Sequence, residues 1–145
     1  MKAIFTIVLG VLVSASANAA LTGNWVGSGE YRDGSGYKEP CKKMTLTMKH
    51  TATSITANYR FQCDSFTIYT PEPLVGVIKS GKIMVGKQQI GTITGNAMNV
   101  KVKSNTGETV TYTAKIAANG KLSFLQGYVG KDASFKIAGV FSKKK

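Results

Sequence analysis

Apolar and polar residues alternate along most of this chain with a period of two. Met44, Leu46 and Met48 alternate with Lys43, Thr45, Thr47 and Lys49, and Ile55, Ala57, Tyr59 and Phe61 with Thr56, Asn58 and Arg60. Further on, Met98, Val100 and Val102 alternate with Asn99, Lys101 and Lys103, and Val110, Tyr112, Ala114 and Ile116 with Thr109, Thr111, Thr113 and Lys115. Leu122, Phe124, Phe135, Ile137, Gly139 and Phe141 continue the pattern. Period two predicts strands that bury one face, and threonine on the other face suits strand propensity. Helical spacing is absent over any useful length after residue 19.

Short turn signals separate the runs: Asp33-Gly34-Ser35-Gly36, Ser80-Gly81, Gly95-Asn96, Asn105-Thr106-Gly107, Asn119-Gly120 and Gly130-Lys131-Asp132. Gly and Asn supply the positive φ of tight hairpins. The strand intervals are 23–31, 41–49, 54–62, 65–69, 74–79, 82–85, 88–94, 97–104, 108–117, 121–129 and 133–142, or eight to ten strands once some middle pieces merge. Connections this short join antiparallel neighbours, and closure removes the exposed edges of a long meander. The expected fold is all-β, a single antiparallel up-and-down barrel over 20–145, with a two-sheet sandwich as the alternative. The segment from Asp64 to Leu74 interrupts the meander, because Pro71 and Pro73 remove ladder donors. It is expected as a loop or edge that packs Phe66 and Tyr69 on the rim or lies across one mouth.

The two cysteines, Cys41 and Cys63, test this picture. A hairpin turning at 50–53 pairs Met48 with Ile55, Leu46 with Ala57 and Met44 with Tyr59. Cys41 then faces Gln62, one residue from Cys63 and on the opposite face. A disulfide therefore predicts a bulge near Pro40 or at 62–63. The bridge should contribute about 3 kcal/mol by the chain-entropy model.

The N-terminus has a different character. Met1-Lys2 precedes an apolar run from Ile4 to Val13, and Ala17-Asn18-Ala19 supplies an A-x-A cleavage pattern. Residues 1–19 read as a signal peptide cleaved near Ala19/Ala20, since the run is half the ~20 residues that span a bilayer. The product is expected in the periplasm or secreted, where a paired cysteine count suggests a disulfide. Cleavage removes Lys2 alone among the charged residues, so 18 cations against seven acids leave +11. Only Arg32 and Arg60 are Arg, and the lysines are spread along the chain. Nucleic-acid recognition favours Arg and clustered basic residues, so nucleic acid is not an expected partner. An anionic envelope component or an acidic protein is. The chain is expected to be a monomer.

Little catalytic chemistry is on offer. The only histidine, His50, falls at a predicted hairpin tip and reads as a solvated turn residue. A nucleophile triad needs an oriented base, and nothing in the pattern converges the seven acids. The glycine pairs Gly27/Gly29 and Gly127/Gly130 precede no helix that could hold a phosphate. Neither an enzyme, a metal nor a cofactor is expected.

Leu21-Thr22-Gly23-Asn24-Trp25 opens the first predicted strand. This stretch resembles the calycin group of lipocalins, fatty-acid-binding proteins and avidins, which share an early G-x-W whose Trp closes the barrel floor. Lipocalins place a late Arg over that Trp; here no Arg follows Arg60, so Lys136 or Lys143 would substitute. The tryptophans of an avidin biotin site are absent. Periplasmic metalloprotease inhibitors and small-barrel lysozyme inhibitors are similar at the same level. The resemblance implies a barrel that binds a small apolar or amphipathic ligand among Trp25, Tyr59, Phe61, Tyr112, Phe124 and Phe135. The alternative is a solid barrel that acts through its lysine-rich exterior as an inhibitor or anionic-surface binder.

Overall fold

Alternation becomes strand wherever one face can be buried. A computed structural model describes residues 20–145; the proposed signal peptide lies outside the described residues. Eleven strands follow one another: β1 (Gly23–Asp33), β2 (Lys38–His50), β3 (Ser54–Gln62), β4 (Thr67–Tyr69), β5 (Leu74–Lys79), β6 (Lys82–Val85), β7 (Gln88–Ile93), β8 (Ala97–Lys103), β9 (Thr109–Ile116), β10 (Leu122–Val129) and β11 (Ser134–Lys143). All pairings are antiparallel. The sheet closes on itself because β1 pairs with both β2 and β11, while β2 also pairs with β3. The barrel expectation is met and the sandwich alternative is not. Among the described residues no helix is long and apolar enough to cross a membrane.

The eleventh strand comes from the proline-broken segment. β4 pairs with Arg60–Gln62 and β5 with Ser54–Ala57, so both lie along the same side of β3. They form one strand interrupted at Thr70–Pro73, where two prolines cannot donate to the ladder. Phe66 packs edge-on against Tyr31 at 4.8 Å, whereas Tyr69 is exposed. The segment is therefore a rim connection.

The β2–β3 register differs from the expected one by two residues. Met48 faces Ala57, Leu46 faces Tyr59, Met44 faces Phe61, and His50 faces Ile55. The cause is a turn of the same length placed one residue later, at 51–54 rather than 50–53. Thr51 N–H donates to the Ser54 carbonyl, and Thr51 Oγ1 accepts from Ser54 N–H, so β2 runs on to His50. A two-residue slip keeps every side chain on its predicted face. It also corrects the reading of His50, which is 8 % exposed and lies inside the barrel end rather than on a solvated tip.

The expected irregularity near the cysteines is present. Gly27 pairs with Met44 but Gly29 pairs with Cys41, so Lys42 and Lys43 together oppose Ser28. This bulge shifts the phase of β2: Glu39 and Cys41 point inward before it, Met44, Leu46 and Met48 after it. Cys41 thereby shares a face with Cys63, and the two form a disulfide. Beside the bulge β1 and β11 approach closely. A Cβ at Gly29 would lie 1.8 Å from the Ala138 carbonyl oxygen, so only glycine fits there.

Packing is uneven around the barrel. The side formed by β1, β2, β3, β10 and β11 is filled by Trp25, Met44, Phe61, Leu122, Ile137 and Phe141, each at most 2 % exposed. At one end Leu21 and Trp25 form the floor. Trp25 Nε1 donates to the Leu21 carbonyl at 3.0 Å, and Lys143 Nζ sits 5.1 Å from the indole centroid. At the other end Tyr31, Phe66, Tyr128 and Phe135 make an aromatic cluster.

Candidate ligand-binding cavity

The opposite side of the barrel is hollow. The β5–β6 and β7–β8 ladders hold three residue pairs each, and the β6–β7 ladder is bulged between Ile83 and Met84. The low β6–β7 hairpin leaves the wall short between β5 and β8. Ala57 lines the space from β3 with a small side chain, and the bare backbone of Gly76 on β5 lets Ile83 pack against it, since a Cβ there would meet Ile83 Cγ2 at 2.5 Å. The result is a cavity of about 190 Å³. Ile55, Ile83, Ile90, Met98 and Val100 form its aliphatic lining; Tyr59, Tyr112 and Phe124 form an aromatic side. Leu74, Val75, Val85 and Val102 also line it, and they are 41 %, 61 %, 51 % and 36 % exposed. Exposure of four lining residues makes them the lip of an opening.

The aromatic side is held rigidly from behind. Tyr59 stacks on Phe61 with centroids 4.7 Å apart, and Phe61 in turn meets Phe124 and Phe141 at 5.6 and 6.0 Å. Tyr59 and Tyr112 lie 6.2 Å apart and each is 6.3 Å from Phe124. Burial, followed by a hydrogen bond to Tyr59, raises the Tyr112 phenol well above its ordinary value, so it stays neutral. No described residue lining the cavity carries a charge.

Of the six aromatic residues expected at a site, Tyr59, Tyr112 and Phe124 come together on this cavity. Trp25 closes the floor, with Lys143 of the last strand over its ring. Phe61 is fully buried behind Tyr59, and Phe135 stacks on Tyr128 at 5.3 Å in the rim cluster. These three do not line the cavity. Most of the aliphatic lining was not identified as a site. The available signal was Leu74-Val75-Gly76-Val77-Ile78, apolar on both faces where the rest of the chain alternates.

The polar groups lie elsewhere. Glu39 is buried near the disulfide, where it accepts from Ser65 Oγ at 2.6 Å and from Tyr37 Oη at 2.5 Å. These bonds hold its carboxyl below the usual value, Ser65 contributing most, and fasten the segment after β3. On the outside, the ion pairs among the described residues are Arg32–Glu30 and Lys42–Asp64.

No protein-family model and no curated protein sequence matches the chain. Among solved structures, a redesigned β-barrel is similar with a TM-score of 0.48 and 13 % identity, covering 90 % of this chain and 96 % of that one. The structure of EF1p2_mFAP2b bound to DFHBI is similar with a TM-score of 0.47 and 9 % identity, covering 87 % and 95 %.

Proposed function

We propose that this protein is an exported, non-catalytic β-barrel that binds a small apolar or amphipathic ligand in the cavity bounded by β3, β5–β10 and Leu46 of β2. One observation carries the proposal: a 190 Å³ space with an apolar lining that reaches solvent through an apolar lip. Small barrels either fill with side chains or hold one small ligand, and this one fills only one side. The Cys41–Cys63 bridge supports an oxidising compartment. The test is titration of solvent-stripped protein with N-phenyl-1-naphthylamine, together with native mass spectrometry of protein as isolated. Saturable probe fluorescence that Ala57→Leu abolishes is the expected result. No saturable binding and no co-purified molecule would refute the proposal.

A second reading rests on the lysines, of which Lys42 alone meets a carboxylate among the described residues. They would bind an anionic envelope surface or an acidic protein. Binding to anionic vesicles should then collapse at about 0.5 M salt; binding that ignores salt would sink this reading.

A further inference from the structure

We infer that the cavity selects an uncharged ligand with a hydrogen-bond acceptor, which the Tyr59 and Tyr112 hydroxyls engage. This inference rests on the ligand-binding reading above and names the chemical class.

Among the described residues that line the cavity, Tyr59 and Tyr112 alone have polar side chains; the others are hydrocarbon, thioether or glycine. A phenol carries one donor proton, and the two rings stand on the same side of the cavity with centroids 6.2 Å apart. The polar character on offer is therefore neutral phenol at the edge of an aromatic side, facing aliphatic side chains. A ligand acceptor placed there gains a hydrogen bond, and the rest of the ligand gains apolar contact.

A carboxylate or phosphate fares differently. Burying an anion is costly unless a cation or several donors compensate, and none of the lining residues is Lys, Arg or His. The chain's positive charge does not help, because its lysines stand on the outer wall and in the turns. A ligand cation finds no carboxylate either. Size narrows the class further. A dry cavity of ~150 Å³ holds benzene, so 190 Å³ suits one ring with a small substituent. Anything longer must leave through the lip of Leu74, Val75, Val85 and Val102.

Three molecules of matched size and shape separate the possibilities: acetophenone (neutral, one acceptor), α-methylstyrene (neutral, no acceptor) and benzoate (anionic). Each is measured by competition against N-phenyl-1-naphthylamine and by ligand-observed NMR at ~0.15 M salt, where surface charge is screened beyond about 8 Å. The expected order is acetophenone ahead of α-methylstyrene by roughly 2- to 10-fold, the range of one net hydrogen bond. Benzoate should trail acetophenone by at least about 100-fold. Replacing Tyr59 and Tyr112 together by Phe should erase the preference for acetophenone and leave α-methylstyrene unchanged. Each single replacement, Tyr59→Phe or Tyr112→Phe, should leave α-methylstyrene unchanged, and urea midpoints check that the variants fold. If none of them folds, the wild-type order decides alone. Benzoate binding as tightly as acetophenone would overturn the inference, as would an acetophenone preference that survives the double replacement. If the naphthylamine binds but none of the three displaces it, the inference fails while the ligand-binding reading stands. If the naphthylamine does not bind at all, both fail.

Discussion

Ala57→Leu separates a hollow barrel from a filled one by the sign of a stability change. Ala57 is 8 % exposed, points inward from β3 opposite Met48, and borders the cavity. Leucine adds three carbons. At the ~30 Å³ that a water-sized group occupies, they need about 90 Å³, roughly half of the 190 Å³ present. If the space is empty, each carbon leaves water for an apolar surrounding and contributes about 0.8 kcal/mol, or ~2.4 kcal/mol together. Ordering the leucine rotamer costs about 0.5–1 kcal/mol. The net expectation is a gain of roughly 1.5–2 kcal/mol. The same substitution in a packed interior costs about 1–3 kcal/mol through overpacking, so the two cases differ by some 3–5 kcal/mol. Urea unfolding with the disulfide intact reads the difference as a midpoint shift at constant m-value. The protein must first be stripped of ligand, since a bound molecule stabilises the wild type alone by mass action. A lower midpoint for stripped Ala57→Leu would refute the reasoning that this side of the barrel is empty.

Other perturbations address the frame around the cavity. Replacing Cys41 and Cys63 together by serine opens a loop of sequence separation 22, which should cost about 3 kcal/mol; an unchanged urea midpoint would contradict that. Gly29→Ala puts a Cβ 1.8 Å from the Ala138 carbonyl oxygen. It should destabilise by at least about 1–3 kcal/mol, visible as a lower melting temperature. Burial lowers the His50 pKa below 6.5, so the unfolded chain binds the proton more readily. Stability should be unaffected by His50 above pH 6.5, decline as pH falls through its depressed folded value, and level off below it. His50→Leu should remove that segment of the pH profile; a profile identical to wild type would exclude His50 as its source. Gln126 buries an amide oxygen with no partner among the described residues, so Gln126→Leu should raise the urea midpoint, a gain of up to about 1–3 kcal/mol in stability.

The legible part of this fold is the part where one face is buried and the other wet. Along β2, β3, β9 and β11, alternation fixes which side chains face inward, and a two-residue error in the β2–β3 register left every face correct. The cysteines carried more than a pairing. Their mismatch of faces required an extra residue, and the structure supplies it at Lys42–Lys43. What the pattern could not give was the end of β2. The Thr51–Ser54 hydrogen bonds that place the turn are local and have no periodic signature. His50 was misplaced for that reason, because a lone polar residue beside a turn looks solvated until the turn is known to begin one residue later.

The cavity was harder to read than the core for a related reason. Aromatic residues were taken as the binding signal, and an aromatic residue at an inward position does one of two things in a barrel. Trp25, Phe61 and Phe135 have partners on both sides and fill space. Tyr59, Tyr112 and Phe124 sit where the sheet beyond them is too short to supply facing bulk. What makes them lining residues is therefore decided by β5–β8, and there the sequence departs from alternation. Val75 and Val77 are apolar yet exposed, Gly76 contributes no side chain, and the β6–β7 hairpin is only Lys82–Ile93 long. Leu74, Val85 and Val102 share the inward face of their strands with Gly76, Ile83 and Val100. Where the neighbouring strands are short, that face reaches solvent beside Val75 and becomes the lip of an opening. In this protein the site is thus marked less by its aromatic residues than by the stretch from Leu74 to Val85 where the rule that builds the rest of the barrel lapses.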